Sequence, residues 1–217
     1  MMSRNIEHPL ILAITGASGV IYGKRLLEVL LEKGMKVHLL ISPAGRLVIE
    51  RELGASIDLK DFDLAALLGK DFRRQTADFR PLVKYFHYAD IGAEIASGSY
   101  PTAGMIIAPA SMDIIGAVAS GLSGNLILRA ATVTLKEGRR LILVPRETPL
   151  TLIHLENLAR LARAGATILP AMPAFYTRPQ KIEDFVDFLV SKILDALGQQ
   201  TSKTAKQQSD QAARLQG

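Results

Sequence analysis

Thr15-Gly16-Ala17-Ser18-Gly19 joins two glycines and a hydroxyl to a segment that continues with helical periodicity, a combination suited to holding an anion. Glycine lets the backbone approach a ligand closely, and the free amides of a helix N-terminus point at negative charge. Ser18 adds a hydroxyl donor. The glycines Gly16, Gly19 and Gly23 are spaced Gly-x-x-Gly-x-x-x-Gly, not as the Gly-x-Gly-x-x-Gly dinucleotide fingerprint, and no Gly-Lys-Ser/Thr follows to make a P-loop. Some short-chain dehydrogenases share that spacing. Read alone, the turn leaves open a nucleotide or a plain strand-to-helix corner. The second strand narrows the choice. A dinucleotide binder carries Asp or Glu at its end for the ribose hydroxyls; here the strand closes with Ile41-Ser42-Pro43, and Ser42 suits a mononucleotide better.

The elements that must position these residues follow from the apolar pattern. Residues 9–15 are a short continuous apolar run ending in glycine, the mark of a strand buried on both faces. From Val20 the period turns helical, with Leu26, Leu27, Leu30 and Leu31 on one stripe and Gly34 closing it. Further strands are expected at 36–41, 103–108, 140–144 and 167–169, and helices at 44–53, 111–120, 125–136 and 182–197. Thr148-Pro149 is read as the cap and first turn of a helix through Arg163, with Leu152, Leu155, Leu158 and Ala162 as its apolar stripe. Residues 55–100 carry weaker signals: a short helix within 58–68 and an alternating stretch at 80–89. Alternating buried strands and helices predict one doubly wound α/β domain (Rossmann-like, flavodoxin-like) over residues 1–198, with a parallel sheet between helices. Ligands of such sheets sit beyond the carboxyl ends of the strands. Residues 199–217 are rich in Gln, Ser, Lys and Ala and read as a disordered or partner-dependent tail.

Composition bounds the function. The 217 residues carry a formal charge of +5 without a run of five basic residues, and aromatics are few, which argues against nucleic acid. The absence of cysteine excludes disulfides, thiolate metal sites and a cysteine nucleophile. No segment reads as a membrane span or signal peptide, so the cytoplasm is the expected compartment. His38 and His154 lack metal-ligand company, and no metal is expected.

Six segments taken in order resemble one family: Thr15-Gly16-Ala17-Ser18-Gly19, Ala96-Ser97-Gly98-Ser99, Pro109-Ala110-Ser111-Met112-Asp113, Asn125 through Ala131, Val144-Pro145-Arg146-Glu147-Thr148-Pro149, and Pro170 through Tyr176. They look like the flavin prenyltransferases, the UbiX group of the flavoprotein superfamily that also contains the cysteine decarboxylases. The resemblance implies transfer of the dimethylallyl group of dimethylallyl monophosphate to N5 and C6 of reduced FMN. The product, prenylated FMN, would serve a UbiD-type decarboxylase. It also implies a homo-oligomer, a dodecamer, with sites at subunit contacts. Carried over by position, Gly16, Ala17 and Ser18 contact FMN, and Ser42 reaches its phosphate or ribityl chain. The amides of Ser111, Met112, Asp113 and Ile114 suit the same anion. Arg146 touches flavin and prenyl phosphate. Tyr176 and Lys192 match the prenyl-phosphate ligands, with Lys136 and Arg129 nearby, and Ser97-Gly98-Ser99 forms an amide nest beside the phosphate. Many relatives have Arg where this chain has Lys192, which offers a point charge without a planar fork.

Such chemistry needs a departing phosphate held by cations and a proton moved at the right moment. Diphosphate-using prenyltransferases employ metal on clustered aspartates, and no Asp-Asp-x-x-Asp occurs here. Lys136, Arg146, Lys192 and the Tyr176 hydroxyl make a clamp, Glu147 is the acid/base candidate, and Glu52 matches a second family acid. Each also has a purely structural reading: Glu147 as a carboxylate at a helix N-terminus, Lys136 as a dipole partner, Lys192 as a snorkelling side chain, Tyr176 as a packed aromatic. With no tryptophan, aromatic closure over the prenyl group falls to Tyr100, Tyr176 or a neighbouring subunit. A cysteine decarboxylase would carry Pro-Ala-Ser-Ala-Asn in place of Pro109-Ala110-Ser111-Met112-Asp113. A non-catalytic FMN carrier would not need the cationic set. A short-chain dehydrogenase would need Tyr-x-x-x-Lys, which is absent.

Overall fold

Leu10-Ile11-Leu12-Ala13-Ile14 is apolar on both faces, so it is stable only inside a sheet covered on both sides. The structure, a computed structural model, describes residues 8–69 and 79–199, and in it β1 (Leu10–Ile14) is buried at every position. The same holds for β2 (Val37–Ile41). β3 (Val83–His87) is an edge strand and only partly covered. β4 (Gly104–Ala110) and β5 (Leu141–Pro145) are wholly buried, and the short β6 (Thr167–Ile168) closes the other edge. All pairings are parallel, in the order β3-β2-β1-β4-β5-β6. Of the two common doubly wound orders, this is the Rossmann one, with its switch point between β1 and β4.

Seven α-helices occur among the described residues: α1 (Val20–Glu32), α2 (Pro43–Leu53), α3 (Leu64–Leu68), α4 (Met112–Ala119), α5 (Leu126–Lys136), α6 (Leu152–Arg163) and α7 (Ile182–Leu197). α1 buries Leu26, Leu27, Leu30 and Leu31 and packs against β1, β2 and β4. On the opposite face, Ile11, Ala13, Leu40, Met105 and Ile107 meet Ile115 of α4 and Leu126, Ile127 and Ala130 of α5. Alternate residues of β1 therefore serve the two layers, as strand geometry requires.

Two expectations need correction at α6. The helix starts at Leu152, not at Pro149, because Thr151 is its cap. The Thr151 hydroxyl accepts from the His154 amide, and His154 Nδ1 accepts from the Thr151 amide, both at 3.3 Å. This reciprocal pair satisfies two otherwise orphaned donors, which Thr148 has no partner to match. The expected stripe is likewise rotated. Leu152 and Leu155 are 69% and 50% exposed, whereas Leu161 is buried and Leu158 lies at the core margin. α6 packs on α4 by the side that carries Asn157, close to Gly116.

The described residues up to Ala171 form one compact unit; those from Met172 onward, including α7, belong to a second. The tail expected at 199–217 lies outside the described residues beyond Gln199. No described helix is long and apolar enough to cross a membrane.

Candidate active site

Because the strands are parallel, the loops after β1, β2, β4 and β5 open at one edge of the sheet, and the first group of predicted residues lies there. Gly16 and Gly45 are required by contact: a Cβ on Gly16 would fall 2.5 Å from Ala44 Cβ, and one on Gly45 would fall 2.6 Å from the Ile14 carbonyl oxygen. These approaches seat the β1 turn on the start of α2. Thr15, whose role the turn motif does not reveal, is fully buried and ties this turn to the next. Its hydroxyl donates to the Pro109 carbonyl (2.7 Å) and accepts from the Ser111 amide (2.9 Å). Ser42 caps α2 by accepting from Gly45 N at 2.9 Å, and Ser111 caps α4 by accepting from Ile114 N at 3.4 Å. Each serine keeps its hydroxyl hydrogen for another acceptor. The first-turn amides of Met112 and Asp113 have no intrahelical acceptor.

Glu52 changes the reading of the glycine turn. Its carboxylate accepts from Gly19 N (2.9 Å) and Val20 N (3.1 Å), so the anion at the N-terminus of α1 is the chain's own. Gly19 makes this possible with φ +95°, a left-handed cap that other residues rarely adopt. The Gly19 and Val20 amides expected to face a ligand are thus spent internally, while Thr15 ties Ala17 and Ser18 to the serine-capped start of α4 at the same end of the sheet.

Arg146 and Glu147 follow β5 directly and are exposed. Glu147 accepts from the Thr148 amide at 3.0 Å and lies ahead of the α6 cap, so it does not serve that helix N-terminus. Burial pushes the Tyr22 hydroxyl pKa up, and the positive charge of Arg146 opposes the shift. Arg146 is therefore within electrostatic reach of Tyr22, whose ring lies 3.0 Å from where a Cβ on Gly19 would sit. The β5 loop and the glycine turn converge.

The second group lies at the other edge. Ser97-Gly98-Ser99 precedes β4, whose start is fixed to the start of β1 by Ala103 N donating to Pro9 O. The Ser97 and Ser99 hydroxyls are 2.8 Å apart. Lys136, at the end of α5, pairs with Glu137 at 2.5 Å, and both press on Gly98, where a Cβ would collide with the Glu137 carboxylate. Lys136, with Arg139 behind it, lowers the Glu137 pKa. Arg129 donates to the Ala96 carbonyl at 3.1 Å. Arg139, absent from the sequence reading, donates to the carbonyls of Gly98 (2.6 Å) and Tyr100 (2.8 Å). The seven residues of β4 separate this group from Ser111, about 20 Å at 3.3 Å per residue. One copy of the chain keeps its two halves apart.

Tyr176 and Lys192 fall in the C-terminal unit, where both reach Phe188. Tyr176 meets its ring edge-on at 6.1 Å, and Lys192 Nζ lies 5.8 Å from its centroid. Phe188 and Lys192 are four residues apart on α7 and share a face. Tyr176 and Phe175 are 75% and 76% exposed. Among the described residues, no three His, Asp or Glu side chains are grouped to hold a metal ion.

The Flavoprotein family pattern matches residues 2–194. The chain belongs to the Flavoprotein family. Within that family it belongs with the UbiX flavin prenyltransferases. It is 48% identical over 185 residues to the flavin prenyltransferase UbiX of Halalkalibacterium halodurans, covering 85% of this chain and 86% of that one. It is 46% identical over 187 residues to the Pseudomonas aeruginosa UbiX, covering 86% and 88%. Among solved structures it resembles AnUbiX (PadA1) in complex with FMN and dimethylallyl pyrophosphate, with TM-score 0.75, 35% identity, and 89% and 93% of the two chains covered. A dodecameric FMN-dependent UbiX-like decarboxylase from Escherichia coli O157:H7 matches with TM-score 0.75 and 38% identity over 88% and 96%. A PPC decarboxylase mutant shares the fold at 16% identity and TM-score 0.53 over 76% and 83% of the two chains. As a UbiX-type flavoprotein, the chain carries its family motifs at both edges of the sheet rather than in one cluster.

Proposed function

We propose that this chain joins the dimethylallyl group of dimethylallyl monophosphate to N5 and C6 of reduced FMN, releasing prenylated FMN to a UbiD-type decarboxylase in the cytoplasm, without a metal. The observation that carries this reading is the gathering of Gly16, Ala17, Ser18, Ser42, Ser111 and Arg146 at the carboxyl edge, astride the switch point where such sheets take nucleotides. The crevice fits FMN in kind: hydroxyl donors from Ser42 and Ser111, and the free amides of Met112 and Asp113, suit a phosphate and its ribityl chain. Arg146 spans flavin and prenyl phosphate.

The N5–C1 bond forms as the C1–O bond to phosphate breaks, so charge builds on the leaving phosphate while N5 loses its proton; the C6 bond then forms to C3 of the prenyl group as its double bond takes a proton at C2 and C6 gives one up. Lys136, Arg129, Lys192 and the Tyr176 hydroxyl answer the first need, and Ser97, Gly98 and Ser99 line the phosphate with hydroxyls and backbone. Glu147, exposed and free of a helix-capping duty, takes the proton and delivers it toward phosphate. Glu52 holds the turn that carries Ser18 beside the reactive edge of the flavin.

The amino-edge group cannot reach the carboxyl edge of its own chain across the sheet, so a second copy supplies it. A homo-oligomer, a dodecamer in our reading, completes each site from more than one chain. Exposed apolar side chains support association: Leu150, Leu152, Ile153 and Leu155 around the start of α6, and Met172, Phe175 and Ile182 in the C-terminal unit.

The deciding experiment incubates the purified protein anaerobically with reduced FMN and dimethylallyl monophosphate and weighs the flavin. We expect a gain of one prenyl unit. A flavin of unchanged mass with both ligands saturating would defeat the reading.

A further inference from the structure

The Ser97-Gly98-Ser99 turn is largely open to solvent, yet it is gripped from two sides by residues that have no place in the chemistry above. From the end of α5, the Arg139 guanidinium donates to Gly98 O at 2.6 Å and Tyr100 O at 2.8 Å, and reaches Thr102 Oγ1 at 3.4 Å. From β2, His38 Nε2 lies 2.9 Å from the Tyr100 hydroxyl, and the two rings are 5.7 Å apart. Glu94, paired with Lys84 at 2.7 Å, is close enough for its charge to add to the burial that raises the Tyr100 hydroxyl pKa. Burial lowers the His38 pKa to about 4, so the ring is neutral near pH 7. A neutral His38 with its proton on Nε2 donates to the Tyr100 hydroxyl. That assignment leaves Nδ1, which has no partner, as the acceptor.

We infer that Arg139 is a positioning residue for the phosphate half-site: its fork turns the Gly98 and Tyr100 carbonyls away from an arriving phosphate, while Tyr100 anchors the far end of the turn. This rests on the reading that the prenyl phosphate meets this turn. A carbonyl oxygen facing a phosphate repels it, and the planar peptide makes each carbonyl direction a property of the whole turn. Arg139 neutralises two carbonyls with one rigid group, which a lysine cannot do. The Ser97 amide donates to Glu94 O at 3.1 Å and the Ser99 amide to Ser97 Oγ at 3.4 Å, so the expected amide nest reduces to Gly98 N, which with the Ser97 and Ser99 hydroxyls beside Lys136 is what a phosphate can use.

The test compares Arg139→Lys and Tyr100→Phe with the parent protein in steady-state prenylation, flavin binding and thermal melting. Arg139→Lys should raise KM for dimethylallyl monophosphate about tenfold, the equivalent of one charge-assisted hydrogen bond, with kcat and FMN affinity unchanged. Tyr100→Phe, which keeps the ring, should move KM in the same direction by less. A lowered Tm with KM unchanged, or FMN affinity falling in step, would overturn the assignment and leave Arg139 a simple loop staple. Phosphorus NMR titration with inorganic phosphate separates the two ideas. If the parent fails to prenylate flavin, the reaction reading falls. Phosphate binding that is tighter in the parent than in Arg139→Lys still supports the positioning role, and equal binding overturns it.

Discussion

In the proposed function the two edges of the sheet hold an anion by opposite means. At the carboxyl edge, backbone does the work: two glycines where a Cβ would clash at 2.5 and 2.6 Å, serine caps, and one threonine bridging two turns. At the amino edge, side-chain cations take that part, with Arg129 and Lys136 set against a single turn whose carbonyls Arg139 holds. Backbone recognition suits a ligand that must sit in one pose, because its geometry is fixed by the fold. Cations on long side chains suit a leaving group whose charge grows during reaction. That division matches a flavin held still and a phosphate that departs.

The largest expected effect tests whether the edges meet only between copies. Glu147→Gln and Lys136→Ala should each lose about a hundredfold or more in turnover, with Glu147→Gln still binding FMN. Co-assembled from equal amounts of both variants, random pairing should leave roughly a quarter of the sites intact if each site draws one edge from each of two chains. No recovery in verified mixed oligomers would mean that each chain works alone.

A smaller effect probes the carboxyl edge. Glu52→Ala removes the acceptor of the Gly19 and Val20 amides and should cost about 1 kcal/mol in urea unfolding, the typical worth of a helix cap. If the amides are then released to bind phosphate, FMN affinity should rise rather than fall; an unchanged stability would contradict the capping role.

The smallest belongs to the amino edge and to pH. His38 in the folded chain has its pKa lowered from 6.5 to about 4 by burial, with Glu94 opposing and Lys84 adding to the shift. Between those values the unfolded chain takes up a proton that the folded chain refuses, so stability falls as pH drops from 6.5 toward 4. Replacing His38 with Gln should flatten the Tm-versus-pH curve in that window. A slope identical to that of the parent would show that other groups govern it.

Much of this was legible in the residues because it depends on near neighbours. The continuous apolar runs of β1 and β5, the stripe of α1, the helices beginning at about Ser111 and Asn125 and the family motifs are properties of a few adjacent positions, and local propensity and burial suffice to read them. The α6 boundary was misread for a related reason: two threonines compete as caps, and only the second has a histidine three residues on to return the bond. What the tertiary structure alone decided lies between distant positions. Glu52 reaches Gly19 across 33 residues, Thr15 reaches Pro109 across 94, and Arg139 reaches Gly98 across 41. Strand order settled which motifs share an edge, and parallel pairing put the glycine turn and the Ser97 turn at opposite ends of the sheet. The sequence determined the chemistry each residue can do; only the packing of strands fixed which of those residues one chain can bring together.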